Sequence, residues 1–258
     1  MLRKYIDLNC DMGEGFGIYH IGNDEAIMPL ISSANIACGF HAGDPLVLTR
    51  TLKLAKKFGV SVGAHPGYAD LAGFGRRQIP MSTDELYAMT VYQIGAFLGL
   101  AKVHQVEVSH VKVHGALYNV AAVDINVART LAKAIKDLDS NLVMVGLAGS
   151  KMIQAGQEIG IKVASEAFAD RTYGADGNLT PRSTAGALHS TAKAAARQVL
   201  QIVQENKVTA LTGEVVPLWA DTICLHGDGE LAVEMAQEIN HVLSLADIGV
   251  RALNWRLG

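Results

Sequence analysis

The stretch Ser109-His110-Val111-Lys112-Val113-His114 decides the fold when it is set beside Ile6-Asp7-Leu8-Asn9-Cys10-Asp11. Side chains alternate faces along a strand. Val111 and Val113 therefore oppose His110, Lys112 and His114, just as Ile6, Leu8 and Cys10 oppose Asp7, Asn9 and Asp11. The same split recurs in other runs. Ala34, Ile36 and Cys38 oppose Ser33, Asn35 and Ala37; Val60, Val62 and Ala64 oppose Ser61, Gly63 and His65. Ile161 and Val163 oppose Lys162, Ala164 and Glu166, and Ile223 and Leu225 oppose Thr222, Cys224 and His226. Together with an apolar run, these predict seven strands near Lys4–Cys10, Ile31–Cys38, Val60–His65, Ser109–His114, Leu142–Leu147, Ile161–Glu166 and Asp221–His226.

Helical patterns separate the strands, which is the signature of βαβ units and a parallel sheet. Asp44-Pro45 reads as an N-cap with proline at the first helical position, followed by an apolar face of Leu48, Leu52, Ala55 and Phe58 and a stop at Gly59. Ser82-Thr83-Asp84-Glu85 is a capping box for a helix running to about His104. Asp124, Ser150 and Asp228 cap three more, and Ser190 to Asn206 is another. Val208–Leu211 and Glu214–Val216 around Thr212-Gly213 predict a small hairpin before the last strand. Parallel sheets are covered on both faces, so the apolar faces meet helices and the polar faces point inward. The expectation is one α/β domain, residues 1–258, whose seven parallel strands close into a β/α barrel.

Such a lumen holds Asp7, Asn9, Asn35, His65, Lys112, His114, Glu166 and His226. Burying these groups is too costly for packing alone unless they pair, coordinate a ligand or bind a polar molecule. Barrel sites lie in the loops after the strands. Here the loops begin Asp11-Met12-Gly13-Glu14, Gly39-Phe40-His41-Ala42-Gly43-Asp44, His65-Pro66-Gly67-Tyr68, His114-Gly115-Ala116-Leu117-Tyr118 and His226-Gly227-Asp228, and four of them carry histidine beside glycine. The long loops Pro66–Met81 and Ala167–Thr184 add arginine, aspartate and tyrosine. An interior Lys112 needs an anionic partner: phosphate, a substrate carboxylate or Glu166. Asp44 reads first as a cap; Arg76, Arg77 and Arg171 fit either loop-anchoring pairs or anion contacts; His20, His104, His189 and His241 read as packing or surface residues.

Composition excludes several classes. The chain has 258 residues with a formal net charge of -3, without the basic excess of a nucleic-acid binder. The longest apolar run, Val91 to Val103, is interrupted by Gln93, Gly95, Gly99 and Lys102, and the first residues enter a strand at once, so no membrane span or signal segment is expected. The expected compartment is the cytoplasm. Cys10, Cys38 and Cys224 show no CxxC spacing, so neither a disulfide framework nor a thiolate zinc site is indicated. Ile18 stands where a dinucleotide loop on Gly13, Gly15 and Gly17 needs glycine, and neither a Walker A loop nor a Gly-x-Ser-x-Gly elbow occurs. Asp11, His41 and His65, or His114 and His226, offer ligands that zinc accepts, with nothing in the spacing to choose a set. Many of the 26 glycines crowd the loops after the strands, as backbone clearance around a polar barrel mouth.

The motifs Asp7-Leu8-Asn9-Cys10-Asp11-Met12-Gly13-Glu14, Asn35-Ile36-Ala37-Cys38-Gly39-Phe40-His41-Ala42-Gly43-Asp44, Ala64-His65-Pro66-Gly67-Tyr68 and Val111-Lys112-Val113-His114-Gly115-Ala116-Leu117-Tyr118 resemble the LamB/YcsF family. The resemblance extends through Glu166-Ala167-Phe168-Ala169-Asp170-Arg171-Thr172-Tyr173 and His226-Gly227-Asp228, nearly the whole chain; Thr172 is the one variable position in an Arg-x-Tyr pattern. It implies a distorted TIM-like, seven-stranded parallel β/α barrel of the glycoside hydrolase/deacetylase type, related to polysaccharide deacetylases. It also implies a hydrolase activity, ATP-dependent cleavage of the cyclic amide 5-oxoproline (pyroglutamate) to L-glutamate, as the A subunit of a 5-oxoprolinase with partner subunits B and C and with Mg-ATP as co-substrate. On that reading the catalytic set is Asp11, His41, His65, Lys112, His114 and Glu166, with Asp11, Glu166 or one of the three histidines activating water. The substrate-binding set is Asp7, Asn9, Asn35, Tyr118, Asp170, Arg171, His226 and Asp228, with Arg171 or Lys112 on carboxylate or phosphoryl oxygens. The alternatives are a metal-dependent amidohydrolase or deacetylase acting alone and a non-catalytic lactam-binding subunit.

Overall fold

In the computed structural model, which describes residues 3–227, 229 and 231–253, the alternating segments become one closed sheet. Strands β1 (Tyr5–Met12), β2 (Ser33–Ala37), β3 (Ser61–His65), β4 (Val108–Lys112), β5 (Val143–Leu147) and β6 (Lys162–Phe168) pair in order, each parallel to the last. The predicted hairpin follows as the antiparallel pair β7 (Lys207–Thr209) and β8 (Val215–Pro217). Strand β9 (Thr222–Leu225) then pairs in parallel with both β6 and β1 and closes a barrel of seven. A short β10 (Gly249–Val250), which no alternation announced, adds to the start of β1.

The helices sit where their caps place them. After a short α1 (Asp24–Ile27), α2 (Pro45–Phe58) starts at Asp44, whose carboxylate accepts from the N–H groups of Leu46 and Val47. Asp44 also accepts from the N–H of Gly17 at 2.7 Å, so the cap ties down the loop after β1. Leu48, Leu52 and Ala55 are buried, but Phe58 does not continue that face: it is exposed, with the Lys57 ammonium over its ring. The capping box of Ser82 and Glu85 opens α3 (Thr83–Val103). By length and composition α3 could cross a membrane. Its Leu86, Ile94 and Phe97 are instead buried against the barrel, and the interrupting Gln93 holds the backbone of Gly67 at both its N–H and its carbonyl.

A helix that no start signal announced, α4 (Gly115–Val123), begins directly after β4 and places Tyr118 at the barrel mouth. Helices α5 (Ile125–Leu138) and α6 (Lys151–Ile159) start at Asp124 and Ser150 as expected, and α7 (Ala192–Glu205) at Thr191. The last, α8 (Ala232–Leu245), has Leu231 at its N-cap position without a side-chain bond. The cap expected from Asp228 lies outside the described residues.

Strand register confirms the inward face. Asp7 lies beside Thr222, Asn9 beside Cys224, Asp11 beside Asn35, Asn35 beside Gly63 and Lys112 beside Val145. The outward apolar faces of β1 to β4 and β9 form the main core with the helices. Val143, Val145 and Ala164 make a small separate cluster with Leu253. Gly63 is the one inward position on β3 without a side chain; a Cβ there would lie 2.2 Å from the His110 ring, which fills the space from β4.

Candidate functional site

The inward faces join into one directional network. His110 is neutral, burial pushing it down to about 3. Its Nδ1 faces the Ser109 hydroxyl at 2.8 Å and its Nε2 faces Asn35 Oδ1 at 2.8 Å. Asn35 Nδ2 donates to Asn9 Oδ1 at 2.7 Å and Asp11 Oδ1 at 2.9 Å. Asn9 Nδ2 donates to Glu166 Oε1 at 3.0 Å and Thr222 Oγ1 at 2.7 Å.

Lys112 is the centre of this network. Its Nζ lies 3.0 Å from Asp11 Oδ1, 2.9 Å from Glu166 Oε1, 3.3 Å from Asn9 Oδ1 and 3.0 Å from Cys224 Sγ. Burial alone would strip its proton, but Asp11, Cys224 and Glu166 hold its pKa well above the ordinary lysine value. Burial likewise opposes the Asp11 carboxylate, yet His65 and Lys112 pull it well below the usual range. Of the anions that could balance an interior Lys112, the protein itself supplies two. Tyr118 donates from Oη to Glu166 Oε2 at 2.7 Å, completing that carboxylate's shell.

Asp7 sits deeper, accepting from the hydroxyls of Ser32 at 2.8 Å and Ser33 at 2.6 Å and from Thr222. Burial raises its carboxyl from 3.8 to about 6. A folded-state pKa above the unfolded one means that folding takes up a proton between those values, so the contribution to stability is present at low pH and lost as pH rises through about 6. The loss across that window is about 3 kcal/mol. We expect Asp7→Asn to remove this slope. Urea unfolding of the variant and the wild type at pH 4 and pH 7 measures it, and parallel stability curves would contradict it.

At the carboxyl ends of the strands three histidines converge. His65 Nδ1 donates to the Lys112 carbonyl at 2.5 Å, and its Nε2 lies 3.3 Å from Asp11 Oδ2 and 3.0 Å from His114 Nδ1. His114 Nε2 donates to the Phe74 carbonyl at 2.9 Å. Gly75 shapes this turn: its φ of +64° suits glycine, and a Cβ there would lie 2.7 Å from His41 Cβ and 2.8 Å from His114 Cδ2. His41 stacks on His114 with ring centroids 3.8 Å apart. Burial and the neighbouring rings hold His41 well below its ordinary value and push His114 down to about 3.

Glu14, which strand alternation does not single out, joins them: its Oε1 is 3.6 Å from His41 Nε2 and 3.5 Å from His114 Nδ1. Each of Glu14, His41, His65 and His114 offers a ligand atom, and all four atoms lie within 4.8 Å of one another. The grouping of His114 with His226 as ligands does not occur. His226 donates from Nδ1 to Asp170 Oδ2 at 2.7 Å and faces Arg182 through Nε2 at 3.1 Å, a pair that holds Asp170 ionised against its burial.

The mouth opens into a cavity of about 900 Å³ bordered by Asp11, His65, Lys112, Tyr118, Phe168 and His226, with Arg76, Arg171 and Arg182 on its rim. Arg171 donates from Nη2 to the Thr180 carbonyl at 2.6 Å, while its buried Nε makes no hydrogen bond among the described residues. Arg77 is instead a loop anchor, paired with Asp70. His20 and His241 are exposed and His189 bonds Gln198, outside the cluster. Asp228 falls outside the described residues. Thus Asp7, Asn9, Asp11, Asn35, Lys112, Tyr118 and Glu166 form one network, the three histidines abut it, and Arg171 and His226 line the cavity, His226 being held by Asp170 behind it.

A closed parallel β/α barrel with its ionisable groups gathered at the carboxyl ends of the strands has them at the end where the sites of such barrels lie. The chain belongs to the LamB/YcsF family, whose model matches residues 6–257. It is 56% identical over 248 residues to a protein of Tolumonas auensis named as the A subunit of 5-oxoprolinase, covering 96% of this chain and 99% of that one. It is 51% identical over 249 residues to the Bacillus subtilis protein of the same name, covering 96% and 97%. A crystal structure described as a lactam utilization protein from Thermus thermophilus superposes with a TM-score of 0.92 at 44% identity, covering 96% of this chain and 99% of that one.

Proposed function

We propose that the chain acts as the A subunit of an ATP-dependent 5-oxoprolinase, a hydrolase that opens the cyclic amide of 5-oxoproline to give L-glutamate, together with partner subunits B and C in the cytoplasm. The observation that carries this reading is the buried Asp11, Lys112 and Glu166 triad opening onto an arginine-rimmed cavity. The relatives' names and the lactam utilization structure support it.

A five-membered lactam is an unactivated amide; phosphorylation of its oxygen by ATP, with release of ADP, would make the ring carbon electrophilic, so that water adds, the C–N bond breaks as the nitrogen takes a proton, and a second water releases phosphate from the resulting acyl phosphate to leave glutamate. This chain's residues hold the rest of the reaction. Arg171, with a buried Nε at the cavity wall, binds the substrate carboxylate through a charge-assisted hydrogen bond. Asp11 or Glu166 takes the proton of the attacking water, while Lys112 pairs with both carboxylates and holds them in place. Phe168 and Tyr118 cover the apolar ring of the substrate. Asp170 and His226 fix the wall opposite.

Reconstitution tests this reading. Glutamate is expected only when ATP and all three subunits are present, and His65→Ala in this chain is expected to lower the rate by at least about 100-fold. Full activity of His65→Ala, or glutamate formation with this chain omitted, would overturn it. The histidine cluster favours one second reading, a metal-dependent amidohydrolase working alone. It requires lactam opening by this chain without ATP or partners, abolished by a chelator.

A further inference from the structure

We propose that Glu14, His41, His65 and His114 form a binding site for one divalent transition-metal ion of the zinc class, at the mouth of the barrel. The positions of the ring protons come first. A carbonyl oxygen only accepts, so the Lys112 carbonyl fixes the proton of His65 on Nδ1 and the Phe74 carbonyl fixes that of His114 on Nε2. With both rings neutral, the remaining nitrogens, His65 Nε2 and His114 Nδ1, carry lone pairs and face each other at 3.0 Å, and His65 Nε2 also faces the Asp11 carboxylate at 3.3 Å. Two lone pairs at that distance repel; a cation held by both removes the conflict.

A proton on one ring would satisfy only that pair. It leaves His41, which is fully buried and makes no hydrogen bond through either nitrogen among the described residues. The spacing points to a metal, toward which the His41 ring, stacked on His114 with centroids 3.8 Å apart, must turn to aim its lone pair. Bonds of about 2.0–2.1 Å in tetrahedral geometry put neighbouring ligand atoms about 3.3–3.4 Å apart. Of the six edges, three are 3.0 Å for His65 to His114, 3.5 Å for Glu14 to His114 and 3.6 Å for Glu14 to His41, and none exceeds 4.8 Å. Three imidazoles and one carboxylate suit zinc or cobalt rather than magnesium or calcium, which prefer all-oxygen shells. The carbonyls of Lys112 and Phe74 serve as the outer partners that orient the ligating rings. Asp11 Oδ2, 3.3 Å from His65 Nε2, links the ion to the Lys112 network.

This inference does not depend on the lactam reading, because binding is measured without turnover. Full-length protein stripped by a chelator is titrated with Co²⁺ and followed by its visible absorption, then challenged with Zn²⁺. The expected result is one Co²⁺ per chain with the intense band of a four-coordinate site, displaced by Zn²⁺ and not by Mg²⁺. His41→Ala and His114→Ala should weaken binding by about 100-fold or more, while His189→Ala binds as the wild type does. Should either cluster variant misfold, the wild type still decides: Zn²⁺ must raise its unfolding temperature and Mg²⁺ must not. A wild type that takes up no Co²⁺ in a four-coordinate site, or cluster variants that fold and bind unchanged, would overturn the proposal.

Discussion

Lys112→Met is expected to destabilise the protein by about 3–5 kcal/mol, because it removes the one cation between two buried carboxylates. The Lys112 side chain is 3% exposed, Glu166 is fully buried and Asp11 is 10% exposed, so water cannot take over the role of the ammonium. Asp11 and Glu166 would then face each other uncompensated, and one of them must pick up a proton. In a chain of this size each kcal/mol moves the unfolding temperature by about 2–4 °C, so a drop on the order of 10 °C is expected by calorimetry. The companion variant separates charge from shape. Asp11→Asn, Lys112→Met and Glu166→Gln combined replaces the charged triad by neutral groups of similar size, which should recover most of the lost stability and none of the activity. A single Lys112→Met variant that melts with the wild type would show that the triad is not ionised as described.

Glu166→Gln is expected to reduce ATP-dependent glutamate formation by about 10²–10⁴-fold while leaving the fold intact, the range associated with losing a positioned acid or base. The substitution is close to isosteric. Gln can still accept from Lys112 and Asn9 through its oxygen, and Tyr118, whose hydroxyl rotates, can turn from donor to acceptor at the amide nitrogen. Lys112 keeps Asp11, so the stability cost is that of one charge-assisted bond, about 1.5–3 kcal/mol. Steady-state kinetics of the reconstituted enzyme distinguish the roles. A fall in kcat with KM little changed places Glu166 in the chemistry; a rate within about twofold of the wild type would reduce it to a partner of Lys112.

Much of this arrangement is legible because a strand has a period of two and a barrel has an inside. Asp7, Asn9, Asn35, Lys112 and Glu166 are assigned to the lumen by parity alone, and they meet there. His110 obeys the same parity and belongs to the network, but it stands early in its strand, away from the loop motifs that draw attention to the other histidines. Glu14 is hidden for a physical reason. Alternation along β1 points to residue 13, but Gly13 has a φ of +66°, which ends the pleat and turns the next side chain inward. His41 lies beyond the end of β2, where no strand period applies, and its place against His114 follows from the folding of the loop around Gly75. Arg182 and the pairing of His226 with Asp170 depend on the long segment after β6, whose path no local pattern announces.

The missing side chain at Gly63 has a historical consequence. Because the His110 ring occupies the space that a Cβ at position 63 would need, the two positions cannot drift separately. A lineage that enlarges residue 63 must first shrink residue 110, and in doing so it surrenders the imidazole that orients Asn35 toward Asn9 and Asp11. Descendants of this barrel are therefore expected to carry glycine and histidine at these positions as a pair, or to have lost both.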